Sequence, residues 1–463
     1  MAGGAYKTFS SNLNAQECVN WIPVNDPEGK ALRGTPGLKP WKNTGKDAEV
    51  RGVKKFGLYL YAVVGNTVYR VSEAGAISTC TGTLDTSSGV LSETQAQVNP
   101  TQLMIVDGVS GYIVTGTTVT KITDEDFPPN PFSVAQHDNR FVVSVRGSGI
   151  GYISDSNNGL SWDSTITFSA ESRPDDLLSV ISDHDDLLSM GAESYKAWYT
   201  SSDQDNPLLE KPGTIQEKGI GARKSVVKHD NAVFFLTNDF QVVRLQGYQP
   251  VPVSTRSIEY QIAQYAVIDD AFGMSINIEG NAFYVLTFVS EGVTWCYNAA
   301  TKEWNQLMSF PVPYDHRWRG NCYAKFAGKH IIGDYKNGML YELDFDTFTD
   351  NGELIRRVRT IPTIKKEGKN IFVSKLEIFF EAGKGLATGQ GSDPMAMLQV
   401  SRDGGHTWGN EIWRPAGPIG KYRRRSCWNK LGRARQFNPR LVVTDPIKWV
   451  VTGANMEAKI GTS

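Results

Sequence analysis

A polar turn followed by an apolar run recurs along this chain, and its spacing restricts the possible folds more than any other feature. His229-Asp230-Asn231 leads into Ala232 to Leu236, His137-Asp138-Asn139 into Phe141-Val142-Val143, and His184-Asp185-Asp186 into Leu187-Leu188. Weaker copies are Glu279-Gly280-Asn281 before Phe283-Tyr284-Val285, and Ala327-Gly328-Lys329 before Ile331-Ile332. Between the middle residues of successive phrases the steps are 47, 45, 50 and 48 residues. Units of about 40–50 residues, each holding several short strands, are the sequence mark of a radial β-array. One such unit cannot cover both faces of its own sheet, so neighbours must stack into a continuous core.

Extending the count forward adds Gly57 to Val71, a hairpin with Gly65-Asn66 at its turn, and Leu103 to Ile122, broken at Asp107-Gly108 and Thr115-Gly116. Starts near Gly57, Gln102, Asn139, Asp186, Asn231, Asn281 and Lys329 predict about seven blades, with six as the alternative. The expected fold class is therefore all-β: a β-propeller plus a smaller β-rich platform domain. The 45 glycines and 21 prolines in 463 residues suit a chain of many tight turns. One helix is predicted, from Ser254 or Thr255 as cap to about Tyr265, with Ile258, Ile262 and Tyr265 on one face.

The domain boundaries follow from changes of rhythm. Residues 1–48 are polar and punctuated by Pro23, Pro27, Pro36 and Pro40, and read as an arm docked on the platform, since Cys18, Trp21 and Trp41 are out of place in a solvated tail. Residues 49–345 hold the propeller, with the helical insertion near 255–266. Residues 346–463 form a β-rich domain in which Val373 to Phe380 alternates and Gly383 to Pro394 is a glycine-rich loop.

The bulk numbers exclude several classes. A net charge of −1 argues against a protein that coats nucleic acid without sequence preference. Five scattered cysteines without C-x-x-C spacing suggest reduced thiols and assembly in a cytoplasm. The start has no signal-peptide core, and no window approaches 18 uninterrupted apolar residues, so membrane insertion is not expected.

Two motifs stand out. Ser401-Arg402-Asp403-Gly404-Gly405-His406-Thr407-Trp408 fits the Asp-box pattern S-x-D-x-G-x-T-W through Ser401, Asp403, Gly405, Thr407 and Trp408. Its chemistry is structural: the carboxylate accepts local backbone N–H bonds, the glycine takes positive φ, and the tryptophan packs beneath the hairpin. Asp155 to Trp162 reads as a degraded copy, with Asn157 in the aspartate place. Asp boxes occur in sialidase propellers, which raises a glycan-binding or sialidase-like alternative, although no nucleophile, acid and arginine cluster can be assembled around this one.

The second motif is a run without acidic residues from Ile412 to Thr444. Lys421, Tyr422, Arg423, Arg424, Arg425, Trp428, Arg433 and Arg435 are its candidate interface residues. Such a patch suits an acidic protein surface, nucleic-acid phosphates, or simple solvation, and the protein interface ranks ahead of DNA. His137, His184 and His229 would stand on the order of 10 Å apart on successive blades, too far for a shared metal, and read as hydrogen-bonding turn residues. P-loop, G-x-S-x-G and H-E-x-x-H are all absent. No enzyme activity and no cofactor are expected.

Several phrases together resemble the packaged-DNA stabilisation proteins of short-tailed bacteriophages, their tail-hub or nozzle proteins. They are Asn14 to Trp21, Leu32 to Leu38, Ser254 to Glu259, Thr294 to Asn298 with Thr301 to Trp304, Gly333-Asp334 before Leu340-Tyr341, and the Asp box running into Gly420 to Arg423 and Trp428. Cys296 and Asn298 depart from the family pattern, which has an aliphatic residue and an aspartate there. The resemblance implies a homohexameric ring in the short tail of a virion, assembled in the host cytoplasm and lying below the portal and its adaptor ring. Such a ring would extend the DNA channel, help retain the packaged genome and carry the needle, fibre or spike proteins. The N-terminal arm and C-terminal domain would form a platform facing the adaptor.

Overall fold

The computed structural model describes residues 1, 3–7, 15–26, 29–89, 91–96, 101–169, 175–310 and 317–461. Asn14 and Pro27, used in the sequence reading, lie outside them. Among the described residues the strands form seven four-stranded antiparallel blades. Blade one is Val50–Phe56, Tyr59–Val64, Thr67–Val71 and Ile77–Thr83, and blade two is Ser92–Ala96, Gln102–Val106, Gly111–Thr115 and Thr118–Lys121. Blade three is Pro131–His137, Arg140–Val145, Ile150–Asp155 and Asn158–Ser169, and blade four is Leu177–Asp183, Asp186–Gly191, Tyr195–Thr200 and Leu208–Glu210. Blade five is Val227–His229, Ala232–Leu236, Val242–Gln246 and Gln249–Pro252, and blade six is Phe272–Ile278, Asn281–Phe288, Val293–Asn298 and Glu303–Leu307. Blade seven takes Gly320–Phe326, Lys329–Asp334 and Met339–Asp344 from its own stretch of chain. Its fourth strand comes from elsewhere.

The recurrent phrase has a direct structural meaning. Second strands are covered on both faces by neighbouring blades, so they read as unbroken apolar runs: Leu103 to Val106, Phe141 to Val143 and Val233 to Leu236 are all buried. In the six blades other than blade two, the hairpin before the run has a left-handed first residue, at Gly57, Asp138, His184, Asp230, Glu279 and Ala327, with φ from 47 to 58°. A two-residue hairpin needs that conformation to match the strand twist. One alignment made from the sequence is corrected here. His137 pairs with Arg140 and His229 with Ala232, whereas Asp183 pairs with Asp186, so His184 stands in the turn where its neighbours have aspartate.

First strands line the axis and contact one another across blades, and the histidines work there. His137 Nδ1 lies 3.1 Å from Ser182 Oγ of blade four, and its Nε2 lies 3.0 Å from Thr200 Oγ1. His229 Nδ1 lies 2.9 Å from Ser275 Oγ of blade six. Each is a polar staple between blades. The helix is Arg256–Ile262, capped by the Thr255 side chain, with Ile258 and Ile262 buried.

The N-terminal segment closes the wheel and ties it to the rest. Gly37–Asn43, inside the stretch read as an arm, pairs with Met339–Asp344 and completes blade seven. Upstream, Cys18–Val19 lies between Glu303–Leu307 of blade six and Arg357–Thr360, so one ten-stranded sheet runs from the propeller into the C-terminal domain. The hairpin Trp21–Asp26 and Gly29–Gly34 joins a second sheet through Val450–Ile460. That C-terminal domain is a β-sandwich: Arg357–Thr360, Gln436–Val443, Met395–Ser401 and Ile412–Pro415 in one sheet, Val450–Ile460, Ile371–Phe380 and Ser426–Ala434 in the other. Trp21 and Cys18 are fully buried, and Trp41 packs edge-on against Phe326 at 6.4 Å. The buried Arg359 guanidinium donates to the carbonyls of Met1 and Gly4 at 3.0 and 2.9 Å, fastening the start of the chain. All five cysteines are free.

Two outcomes follow. Leu38 of the closing strand is fully buried against Tyr341, Leu343 and Trp318, so Leu38→Ala should cost about 2–5 kcal/mol in urea unfolding. Leu58→Ala, at a hairpin tip that is 80% exposed, should cost less than about 0.5 kcal/mol. Burial pushes His229 down to about 4. Its staple therefore contributes fully above the free-histidine value near 6.5 and is lost as pH falls through that lower value. Wild-type melting temperature should drop between about pH 6.5 and 4, and more steeply than in His229→Asn.

Candidate docking surface of the β-sandwich

The exposed end of the sandwich is built by the return from Ile412–Pro415 to Ser426–Ala434. Arg414 Nε donates to Cys427 O at 3.0 Å and Ser426 Oγ to Pro415 O at 3.0 Å, so the base of the loop is pinned. Above it, Ile419, Lys421, Tyr422, Arg423 and Arg424 are exposed, Tyr422 by 71%. Tyr422 nonetheless has a seat: its ring lies over Gly383, where an added Cβ would come within 2.5 Å of it. Among the described residues, Lys421, Arg423 and Arg424 have no carboxylate within 4 Å, although Asp393 lines the same cleft.

The sequence-predicted patch is divided by the fold. Arg425 forks onto Glu377, with Nη2 2.6 Å from Oε2, and Lys375 Nζ stands 3.2 Å from the same carboxylate. Together Arg425 and Lys375 hold Glu377 at about 2, well below the usual carboxylate range. Trp428 is not a surface residue: it is fully buried in the sandwich core and donates from Nε1 to Ile412 O at 2.6 Å. Arg433 and Arg435 are exposed, but at the far end of the strand, roughly 23 Å from Ser426 at the β-rise per residue. What survives is a compact tip of Ile419, Lys421, Tyr422, Arg423 and Arg424. Sequence reading missed Ile419 and the buried Glu377, and Glu377's place in the alternating strand Ile371–Phe380 was the available signal.

The Asp box lies on the turn at the other end of Ile412–Pro415, beside Gln436. Asp403 accepts from Ser401 Oγ at 2.6 Å, from Thr407 Oγ1 at 2.5 Å, and from the backbone N–H groups of His406 and Thr407 at 3.0 Å. The Ser401 hydroxyl, then the Thr407 groups, hold its carboxyl far below the normal range. Gly404 and Gly405 take φ of 78 and 97°. Trp408 is half-buried, not beneath the hairpin, and the Arg440 guanidinium covers its ring at 3.6 Å while reaching Glu17 at 2.8 Å. The box thus braces the N-terminal segment. Asp155 to Trp162 is different: Ser156-Asn157 is a hairpin turn with Asn157 left-handed, and Asp155 accepts from Ser161 Oγ. The aspartate role assigned there to Asn157 is corrected.

Among the described residues no group of three or more His, Cys, Asp or Glu side chains could hold a metal, and no helix is long and apolar enough to cross a membrane. His137 and His229 are buried, and His184 is exposed beside Asp183 at 3.2 Å.

A closed seven-bladed propeller joined through a shared sheet to a β-sandwich defines a two-part β protein with an exposed basic tip on its second part. The chain belongs to the bacteriophage P22 Gp10 family, phage tail structural proteins that stabilise packaged DNA. Residues 2–348 match the family's β-propeller and residues 356–459 its β-sandwich. None of the curated proteins compared matches the chain. Solved structures with similar coordinates include the WD40 β-propeller domain of Doa1, at 12% identity and TM-score 0.43, covering 66% of this chain and 97% of that one. The computationally designed Ika8 protein matches at 10% identity and TM-score 0.38, covering 66% and 100%. PorZ of Porphyromonas gingivalis matches at 12% identity and TM-score 0.38, covering 75% of this chain and 45% of its own.

Asp403→Ala should lower stability by about 1 kcal/mol, discounted for exposure, since it removes the acceptor of a turn held by local bonds. Urea unfolding and the near-ultraviolet signal of Trp408 would check it, with no change in either refuting the bracing role.

Proposed function

We propose that the chain is a subunit of the hub, or nozzle, of a short phage tail. In this reading copies form a homohexameric ring below the portal and its adaptor ring, extend the DNA channel, help retain packaged DNA and carry needle, fibre or spike proteins. The observation that carries it is the family match across both propeller and sandwich. The rest of the molecule agrees with a part that bears load: one sheet continues from blade six into the sandwich, and exposed cations crowd the sandwich tip. The residues up to Pro36, together with 346–463, would present the platform toward the adaptor, while Gly37–Asn43 serves the propeller. Assembly would take place in the host cytoplasm, without membrane insertion. The family assignment does not favour a glycan-active protein, and the lone Asp box has a bracing role within the sandwich.

The test is a phage population made without this protein. Heads should package DNA and then lose it, giving an excess of empty particles by electron microscopy, and the purified protein added back should restore filled particles. Particles that kept their DNA and ejected it normally would remove the hub role.

A further inference from the structure

The basic tip has a match on the same molecule that it does not touch. In blades three to five the turns joining strands one to two and three to four lie at one end of the wheel. At that end, blades three to five carry exposed Asp138, Asp185, Asp203, Asp205 and Asp230. Among the described residues none of the five has a cation within 4 Å. Three cations of these blades are engaged elsewhere: Arg140 donates to Ser154 O at 2.8 Å, Lys211 Nζ is 2.9 Å from Asp186, and Lys228 Nζ is 4.0 Å from Asp183. The sandwich shares its sheet with blade six, beyond blade five in the wheel.

We infer that the tip formed by Lys421, Tyr422, Arg423 and Arg424 docks on the acidic end of blades three to five of a second copy of this chain. Two exposed surfaces of opposite sign, one on the sandwich and one on blades three to five, stand without ion-pair partners among the described residues. Folding leaves them apart, and a neighbour in the same orientation brings them together. Such head-to-tail contact uses two different patches on each subunit, which is what closed rings require and two-fold dimers do not. Tyr422 and Ile419 supply apolar anchors inside the charged rim, the usual composition of an interface centre. This deepens the ring assembly proposed above and rests on that reading for its place in the tail.

Sedimentation velocity at low salt tests it on the full chain. Asp185 and Asp205 are the sites to reverse, because neither has the left-handed backbone of Asp138 and Asp230. Arg425 is left alone because it pairs with Glu377. Wild type should self-associate, more weakly as salt rises. R423E/R424E and D185K/D205K should each weaken association by at least about tenfold. The four-fold variant, with both signs exchanged, should recover most of it, and circular dichroism would show that each variant is folded. A monomeric wild type, reversals without effect, or a four-fold variant no better than its parents would each overturn the pairing. So would short duplex DNA bound through Arg423 and Arg424 while association stayed unchanged. If association fails to depend on these charges but particles without the protein still lose DNA, the hub survives and the pairing falls. If charge exchange rescues association and particles are indifferent, the hub falls and the pairing stands.

Discussion

Everything in this molecule depends on burying both faces of every blade. A four-stranded sheet whose second strand is apolar on both sides cannot stand alone in water, and each blade here meets that demand only through its two neighbours. Phe234 and Phe235 are both fully buried though they point to opposite faces of the same strand. A row of blades would still leave two open ends. Pairing of Gly37–Asn43 with Met339–Asp344 removes them by making the last blade from both ends of the chain's propeller segment.

The same demand explains the routing of the N-terminal segment. Having supplied a closing strand, the chain would otherwise leave the sandwich hanging from a single connection after Asp344. Cys18–Val19 prevents that by bonding to blade six on one side and to Arg357–Thr360 on the other. Arg359, Arg357 and Arg440 then reach back to it and its surroundings, through Gln16, Thr35 and Glu17. Arg357 and Arg359 are wholly buried, and removing their acceptors would strand a charge in the interior. Such a joint specifies one relative position of the two halves.

The propeller was legible because its signal is local: a turn and an apolar run within ten residues, repeated. The family phrases were legible too, being short and ordered. The closing strand was not, because its partner lies about 300 residues away and Pro36 and Pro40 made it read as loop. Proline is tolerated in an outer strand, and Pro40 falls where the ladder shifts register. The slip at His184 came from an aspartate-rich turn that imitates its neighbours when moved by one residue. Trp428 looked interfacial because its strand breaks the two-residue alternation at Lys430, which has φ of 57°, so the inward positions cannot be counted from sequence alone.

The closing strand also imposes an order on manufacture. Residues 37–43 leave the ribosome well ahead of their partner at 339–344, which follows some 300 residues later. At about 5–20 residues per second, the wait is tens of seconds. Throughout it Trp21, Leu32 and Leu38 have no permanent cover, and successive blades accumulate as an open stack with two sticky edges. The closing strand finds its place only once the last blade has been made.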